Sequence, residues 1–317
     1  MPLSKIQTDI LRLLAAHRDP ESYVAGSTPL NRDAPRYSAD IDVFHDREER
    51  VAQAALADAA LLQEHGYALE WQRREPGIYA LLASRSGEVT KLEWVVDSDF
   101  RFFPTMRDEI FGYVLHPLDL ATNKVGAAYG RREPRDVVDL LTIHDRILPL
   151  GVVIWASAGK ALGFTPEGII NEIRRQARYT AADFRRLASD PPPDPAATMM
   201  RLREVLNEAE AFVIRMPTDQ VGLLFLRGGR VVQPDPDHLA EYETMLAGHA
   251  ATGPRAPISQ PPCSSVTTKS RTATSRSPNA GPVLNGFETI VEGAPIAVSR
   301  IPQFSVKLGS EPRRAAF

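Results

Sequence analysis

Ser22-Tyr23-Val24-Ala25-Gly26-Ser27, followed after twelve intervening residues by Asp40-Ile41-Asp42, is the stretch on which the reading of this chain turns. Ser22 to Ala25 has the residues of a short strand, and it runs into a small-residue turn. Such a turn exposes backbone N–H groups and a hydroxyl, which suits phosphate. Asp40 and Asp42 stand at i and i+2 of a second strand, so both carboxylates point to one face. Side by side they repel, and hard cations relieve that repulsion; Mg²⁺ takes few carboxylates and fills its shell with phosphate oxygens and water. An Asp-x-Asp pair alone is also the composition of a solvated strand edge, and the Gly-Ser turn at this spacing is what favours chemistry.

A third carboxylate is expected from a neighbouring strand. In the segment 89–96, Lys91, Glu93 and Val95 share one face, while Leu92, Trp94 and Val96 share the other. Glu93 is a charge between apolar residues, costly to bury without a metal or a cation such as Lys91. A second constellation runs from Lys124 to Asp139. Lys124, Ala128 and Arg131 repeat at helical spacing, and Pro134 then opens another helix carrying Arg135, Asp136 and Asp139. Acidic residues in a first turn complement the helix dipole. On pattern alone, Asp136 and Asp139 read as helix-start chemistry or as ion partners of Arg131 or Arg135.

Working outward, residues 1–148 alternate helix and strand signals. Ser4 caps a helix with Ile6, Ile10, Leu13 and Leu14 at helical spacing. A helix over 47–64 turns Val51, Ala55, Leu56, Ala59 and Leu62 inward and closes at Gly66. Strands are expected over 67–73, 78–84 and 89–96, with Ser86-Gly87 as the tight turn. The fold class is therefore α+β, a mixed sheet with flanking helices. Residues 149–248 read as mainly helical: 166–179, 181–187 and 195–216, with a hairpin around Gly228-Gly229. Residues 249–317 form a third part. Their 250–285 segment holds 11 Ser/Thr and 6 Pro with almost no large apolar side chains, the composition of a disordered tail.

The 317 residues carry 37 Lys+Arg against 40 Asp+Glu, with 43% hydrophobic and 24% charged, which excludes fibrous and globally disordered classes. The net charge of −3 divides unevenly: 249–317 has 8 basic and 3 acidic residues, leaving the remainder at −8. So acidic a body offers no global field for nucleic acid, and any such contact needs a local basic face. Arg174, Arg175, Arg178, Arg185 and Arg186, interleaved with Tyr179 and Phe184, are the candidate face, or a solvated one. The single cysteine, Cys263, excludes an internal disulfide and a Cys-based metal site. His45, His116 and His144 lack ligand spacing and read as structural. Without an apolar leader or a span of about 20 apolar residues, a cytoplasmic protein away from membranes is expected.

Gly26-Ser27-Thr28-Pro29-Leu30-Asn31 and Arg36-Tyr37-Ser38-Ala39-Asp40-Ile41-Asp42 resemble the active-site opening of the nucleotidyltransferase superfamily. Lys124-x-x-Ala127-x-x-x-Arg131-x-x-x-Arg135-Asp136-x-x-Asp139-Leu140 is similar to the second signature of its AbiEii/AbiGii branch, the toxins of type IV toxin–antitoxin and phage-defence systems. The resemblance spans residues 5–190. It implies that Gly26 and Ser27 contact nucleotide phosphates, that Asp40, Asp42 and Glu93 hold Mg²⁺, and that Lys124 binds the triphosphate or base. Asp136 would be the branch's additional essential acid, orienting Lys124 or assisting proton removal from the acceptor. Two positions depart from the pattern: Pro29 replaces a small helix former, and Glu93 replaces the usual shorter Asp.

The implied activity is Mg-dependent transfer of a nucleotide from an NTP to an acceptor, foremost the 3′ end of tRNA, with a cognate antitoxin encoded nearby. Transfer to a protein or small molecule is the alternative. A catalytically silent binding module on the same fold is a second.

Overall fold

The computed structural model describes residues 3–249 except 35 and 161. The expectations for 250–317, including Cys263 and the low-complexity segment, lie outside the described residues. The described residues belong to one unit.

Helix α1 (Lys5–Leu14) starts where the sequence indicates. Ser4 accepts from the Gln7 amide, and the Gln7 side chain answers the Ser4 amide, closing a capping box. Strand β1 (Ser22–Ala25), helix α2 (Ser27–Leu30), strand β2 (Asp40–His45) and helix α3 (Glu48–Glu64) follow. Then come β3 (Ala68–Glu75), β4 (Ile78–Arg85) and β5 (Glu88–Val96). Three short strands, β6 (Phe100–Arg101), β7 (Met106–Asp108) and β8 (Gly112–Val114), were not legible in the sequence. Seven strands make one sheet in the order β3-β4-β5-β2-β1-β8-β7. It is mixed: β2 runs parallel to β5 and β1 parallel to β8, with the other neighbours antiparallel. The fold class is α+β, as the alternation of signals indicates.

Helices α1 and α3 cover one face of this sheet, burying Ile10, Val51, Leu62, Leu92 and Trp94 in a common core. Leu56, expected inward, is 49% exposed, because the inward stripe of α3 passes through Asp58 instead. Asp58 is fully buried and accepts from Trp94 Nε1 at 2.7 Å, from His17 Nδ1 at 2.7 Å and from Arg18. An unpartnered carboxylate would be costly there; three donors from two segments, the turn after α1 and strand β5, make the position tenable.

Beyond the sheet lie α4 (Pro117–Gly130), α5 (Pro134–Arg146), α6 (Leu150–Ala158), α7 (Pro166–Gln176), α8 (Ala181–Arg185) and α9 (Pro195–Arg215). A small sheet follows of β9 (Leu224–Arg227), β10 (Arg230–Val232) and β11 (Glu243–Met245), and β12 (Gly248–His249) pairs with β6. His249, the first residue of the expected tail, thus stands opposite Phe100. Residues of α4 and α5 share one core with α6, α7 and α9, so the boundary drawn at 148 runs between helices of a common core. Helix α6 is buried along its whole length. Its end meets the segment after α9 backbone to backbone: a Cβ on Gly159 would lie 2.6 Å from the Gly222 Cα, while the Gly222 amide donates to Trp155 O at 3.1 Å. Among the described residues no helix is long and apolar enough to cross a membrane.

Removing the Asp58 carboxylate strands a buried guanidinium and an indole N–H. Asp58→Ala is expected to cost about 3 kcal/mol or more in urea unfolding; a loss under about 1 kcal/mol would show that the three donors are otherwise satisfied.

Candidate active site

Strand β1 ends at Gly26, whose φ of +72° turns the chain into α2. A side chain is excluded here twice over, since an added Cβ would lie 2.0 Å from Asp42 Oδ2. The turn is tied to the start of β2: Thr28 Oγ1 donates to Asp40 O at 2.6 Å, and Ser38 Oγ donates to the same carbonyl at 3.0 Å. Pro29 sits within α2 without displacing it, since the first turn of a helix has no intrahelical use for its missing N–H. The Gly26-Ser27 turn and the Asp40–Asp42 strand are thereby one rigid object.

On β2, Ile41, Val43 and His45 are buried toward α1 and α3, while Asp40, Asp42 and Phe44 take the opposite face. The parallel register sets Asp40 opposite Lys91 and Asp42 opposite Glu93. Glu93 lies on the same side of the sheet, and Gly26, Ser27, Asp40, Asp42, Glu93 and Lys124 line one cleft of about 300 Å³. Arg131 and Arg135 line it too. Glu93 Oε2 stands 2.9 Å from Lys91 Nζ, so the carboxylate is currently engaged by its own strand. Among the described residues no three or more His, Cys, Asp or Glu side chains stand grouped to hold a metal ion. The expected set of Asp40, Asp42 and Glu93 is therefore gathered along one wall but not closed into a cage. Two strand carboxylates and a third within reach are hard oxygen donors, and they fit an ion that draws the rest of its shell from phosphate and water.

Lys124, from α4, is 6% exposed and reaches the cleft from the helical side. Its Nζ donates to Ser27 Oγ at 2.6 Å and lies 2.8 Å from Asp139 Oδ2. Asp136, implied as an acid that orients Lys124 or assists proton removal, does not line the cleft and does not touch Lys124. It is buried and takes two bonds from Arg131, Nε at 2.8 Å and Nη2 at 2.9 Å, the ion pair the bare pattern allowed. Lys124 is held by Asp139, one turn further along α5. Asp139 is fully buried and also accepts from Asn31 Nδ2 at 3.0 Å and from Arg36 Nε and Nη2 at 2.8 and 3.0 Å. Burial alone would raise its pKa, but Lys124 and Arg36 overcome that and hold it below the usual carboxylate range. Reading the sequence for site residues missed Asp139 and Arg36. The signal available was a charge on the inward stripe 136-139-140-143 of α5.

Of the three histidines read as structural, two hold helix ends, and the third, His45, is buried on β2 with neither ring nitrogen hydrogen-bonded among the described residues. His116 caps α4 and stacks on Phe103, and His144 accepts from the Leu150 amide. Of the expected basic face, Arg174 bonds Glu210 and Asn207 on α9, and Arg175 pairs with Glu172. Arg132, which the sequence left unmarked, stacks over Tyr179.

Asp42 carries the cost of this arrangement. Burial, then the charges of Asp40 and Glu93, push its carboxyl up to about 6, against the opposing pull of Lys124 and Lys91. The folded state therefore retains a proton that the unfolded chain has lost, and stability falls as pH rises from about 4 to about 6 and stays reduced above. In chelator, Asp42→Asn is expected to stabilise the protein by about 1–2 kcal/mol at pH 8, the full shift being discounted for partial exposure, and by nothing near pH 4. Denaturant titrations at both pH values test this; equal stability at pH 8 would remove the strain from Asp42.

No family model and no curated protein matches the chain. Among solved structures it is similar to the MenT4 nucleotidyltransferase toxin of Mycobacterium tuberculosis H37Rv, at 17% identity and a TM-score of 0.49, over 68% of this chain and 84% of that one. It is also similar to JHP933 of Helicobacter pylori, at 15% identity and a TM-score of 0.42, over 67% of this chain and 95% of that one. A third is the Megavirus polyadenylate synthase, at 11% identity and a TM-score of 0.33, over 44% of this chain and 31% of that one.

Proposed function

We propose that the chain is a Mg-dependent nucleotidyltransferase of the AbiEii/AbiGii toxin type, which moves a nucleotide from an NTP onto an acceptor hydroxyl, foremost the 3′ end of tRNA. The observation that carries this reading is the meeting of the Gly26-Ser27 turn, the Asp40–Asp42 pair and Lys124 in one cleft. In this reading the Ser27 hydroxyl and neighbouring backbone N–H groups receive the triphosphate, and Lys124 donates to a phosphate oxygen. Asp40 and Asp42, with Glu93 beside them, would hold Mg²⁺. Bound there, the metal supplies the acidity that activates the acceptor oxygen and neutralises the pyrophosphate leaving group. The protein's own work is then positioning and charge placement rather than covalent chemistry.

Arg131 and Arg135 at the cleft, with Arg132 next in the chain and stacked on Tyr179, support a local basic face of the kind an RNA acceptor requires in an acidic body. Arg174 and Arg175 are paired with carboxylates and do not line the cleft, whereas Arg131, although paired with Asp136, does line it. A cognate antitoxin in the cytoplasm is part of this reading. A silent module is disfavoured by Asp42, whose charge is only partly offset by Lys124 and Lys91 and would be offset further by a bound cation.

The test is incubation with each labelled NTP, Mg²⁺ and either total RNA or protein extract; label in the RNA fraction is expected, and label confined to protein would move the acceptor to the alternative class. Asp40→Ala and Asp42→Ala should each lower transfer roughly a thousandfold or more with the fold retained. Activity within about tenfold of wild type would sink the metal assignment. Glu93→Gln, which keeps shape and loses charge, should raise the Mg²⁺ concentration needed for half-maximal rate; an unchanged Mg²⁺ dependence would return Glu93 to its pairing with Lys91.

A further inference from the structure

We infer that Arg36 is a positioning residue that sets how readily Lys124 is released to an incoming phosphate, an inference that rests on the nucleotide-transfer reading. Asp139 Oδ2 is shared: Lys124 Nζ stands 2.8 Å from it and Arg36 Nη2 donates to it at 3.0 Å, with Ser27 Oγ at 3.4 Å. Arg36 Nε holds the other oxygen at 2.8 Å, so the guanidinium grips the carboxylate with two parallel bonds. The two cations therefore compete for one sealed anion.

They are not equivalent. Lys124 lines the cleft, and its ammonium has a third donor beyond those given to Ser27 and Asp139. Arg36 is 4% exposed and does not line the cleft, so it has no phosphate to reach. It is fixed from behind: Nη1 donates to Tyr37 O at 3.1 Å, and the Tyr37 amide donates to Ala188 O at 2.8 Å, which anchors the loop to the segment after α8. When Lys124 turns toward a phosphate, Asp139 keeps the Arg36 fork and the Asn31 amide. Without Arg36 the departure of Lys124 would leave a buried carboxylate with no cation, a heavily penalised state. Asp139 would then hold Lys124 back. Arg36 thus acts on substrate affinity through Lys124, without touching substrate.

The experiment is a double-mutant cycle on equilibrium binding of each of the four Mg–NTPs to the full chain, with thermal melts of every variant. Arg36→Gln is expected to weaken the best-bound NTP about tenfold in the wild-type background and less than about twofold in the Lys124→Met background. A contribution to folding alone would not depend on Lys124, so equal losses in both backgrounds would overturn the inference, as would unchanged affinity in Arg36→Gln. Should Arg36→Gln melt below the assay temperature, Arg36→Lys keeps the charge and one bond; it is expected to weaken binding about threefold, again only where Lys124 is present. Failure of the wild type to bind any NTP would overturn the nucleotide reading itself, whereas intact wild-type binding with additive losses would overturn the role of Arg36 alone.

Discussion

A carboxylate sealed from water has to be neutralised where it stands, and Asp139 meets that demand by drawing in side chains from three other parts of the chain. Ser27 and Asn31 come from the α2 region, Arg36 from the loop before β2, and Lys124 from α4. Those segments carry the Gly26-Ser27 turn, the lead into the Asp pair and the cleft lysine. The cleft is therefore assembled around an anion that never faces it. Asp42 is the counterpart: an anion that faces the cleft, with two other carboxylates nearby and its neutralisation incomplete. One acid is spent on holding the wall together, while the other stores repulsion at the place where a cation would be useful.

Much of this was legible in the sequence wherever local backbone preference decides the outcome. Strands β2 and β5 follow alternation, and α7 and α9 begin at the prolines that suit a first helical turn. Asp40 and Asp42 could be assigned to one face because they stand two apart on one strand, with the Gly26-Ser27 turn read from its small residues. Strands of two or three residues, β6, β7, β8, β11 and β12, are too short to give a period, and α6 is buried on all sides and so presents no polar face to orient it. The choice between Asp136 and Asp139 was of another kind. Both lie on the buried stripe of α5, and which of them meets Lys124 depends on how α5 packs against α4, which spacing within one helix does not encode.

The sheet's other face shows how a similar burden is handled away from chemistry. Asp58 is as deeply buried as Asp139, and its donors come from the turn after α1 and from Trp94. No cleft residue contributes to it. The two sites divide the domain between an acid that secures the helices beneath the sheet and an acid that secures the helices above it. A substitution at either would disturb the fold, but only the second shares its cation with the cleft.

The crossing of Gly159 and Gly222 has an evolutionary consequence. With the backbones this close, a methyl group at either position has nowhere to go unless the other segment moves with it, and the Gly222 amide is bound to Trp155. The two positions are thus mutually contingent: drift at one is closed until the other has already shifted. In a set of diverged relatives, that would read as paired retention or paired replacement, a correlated signal arising from sterics alone, at a site with no part in the chemistry.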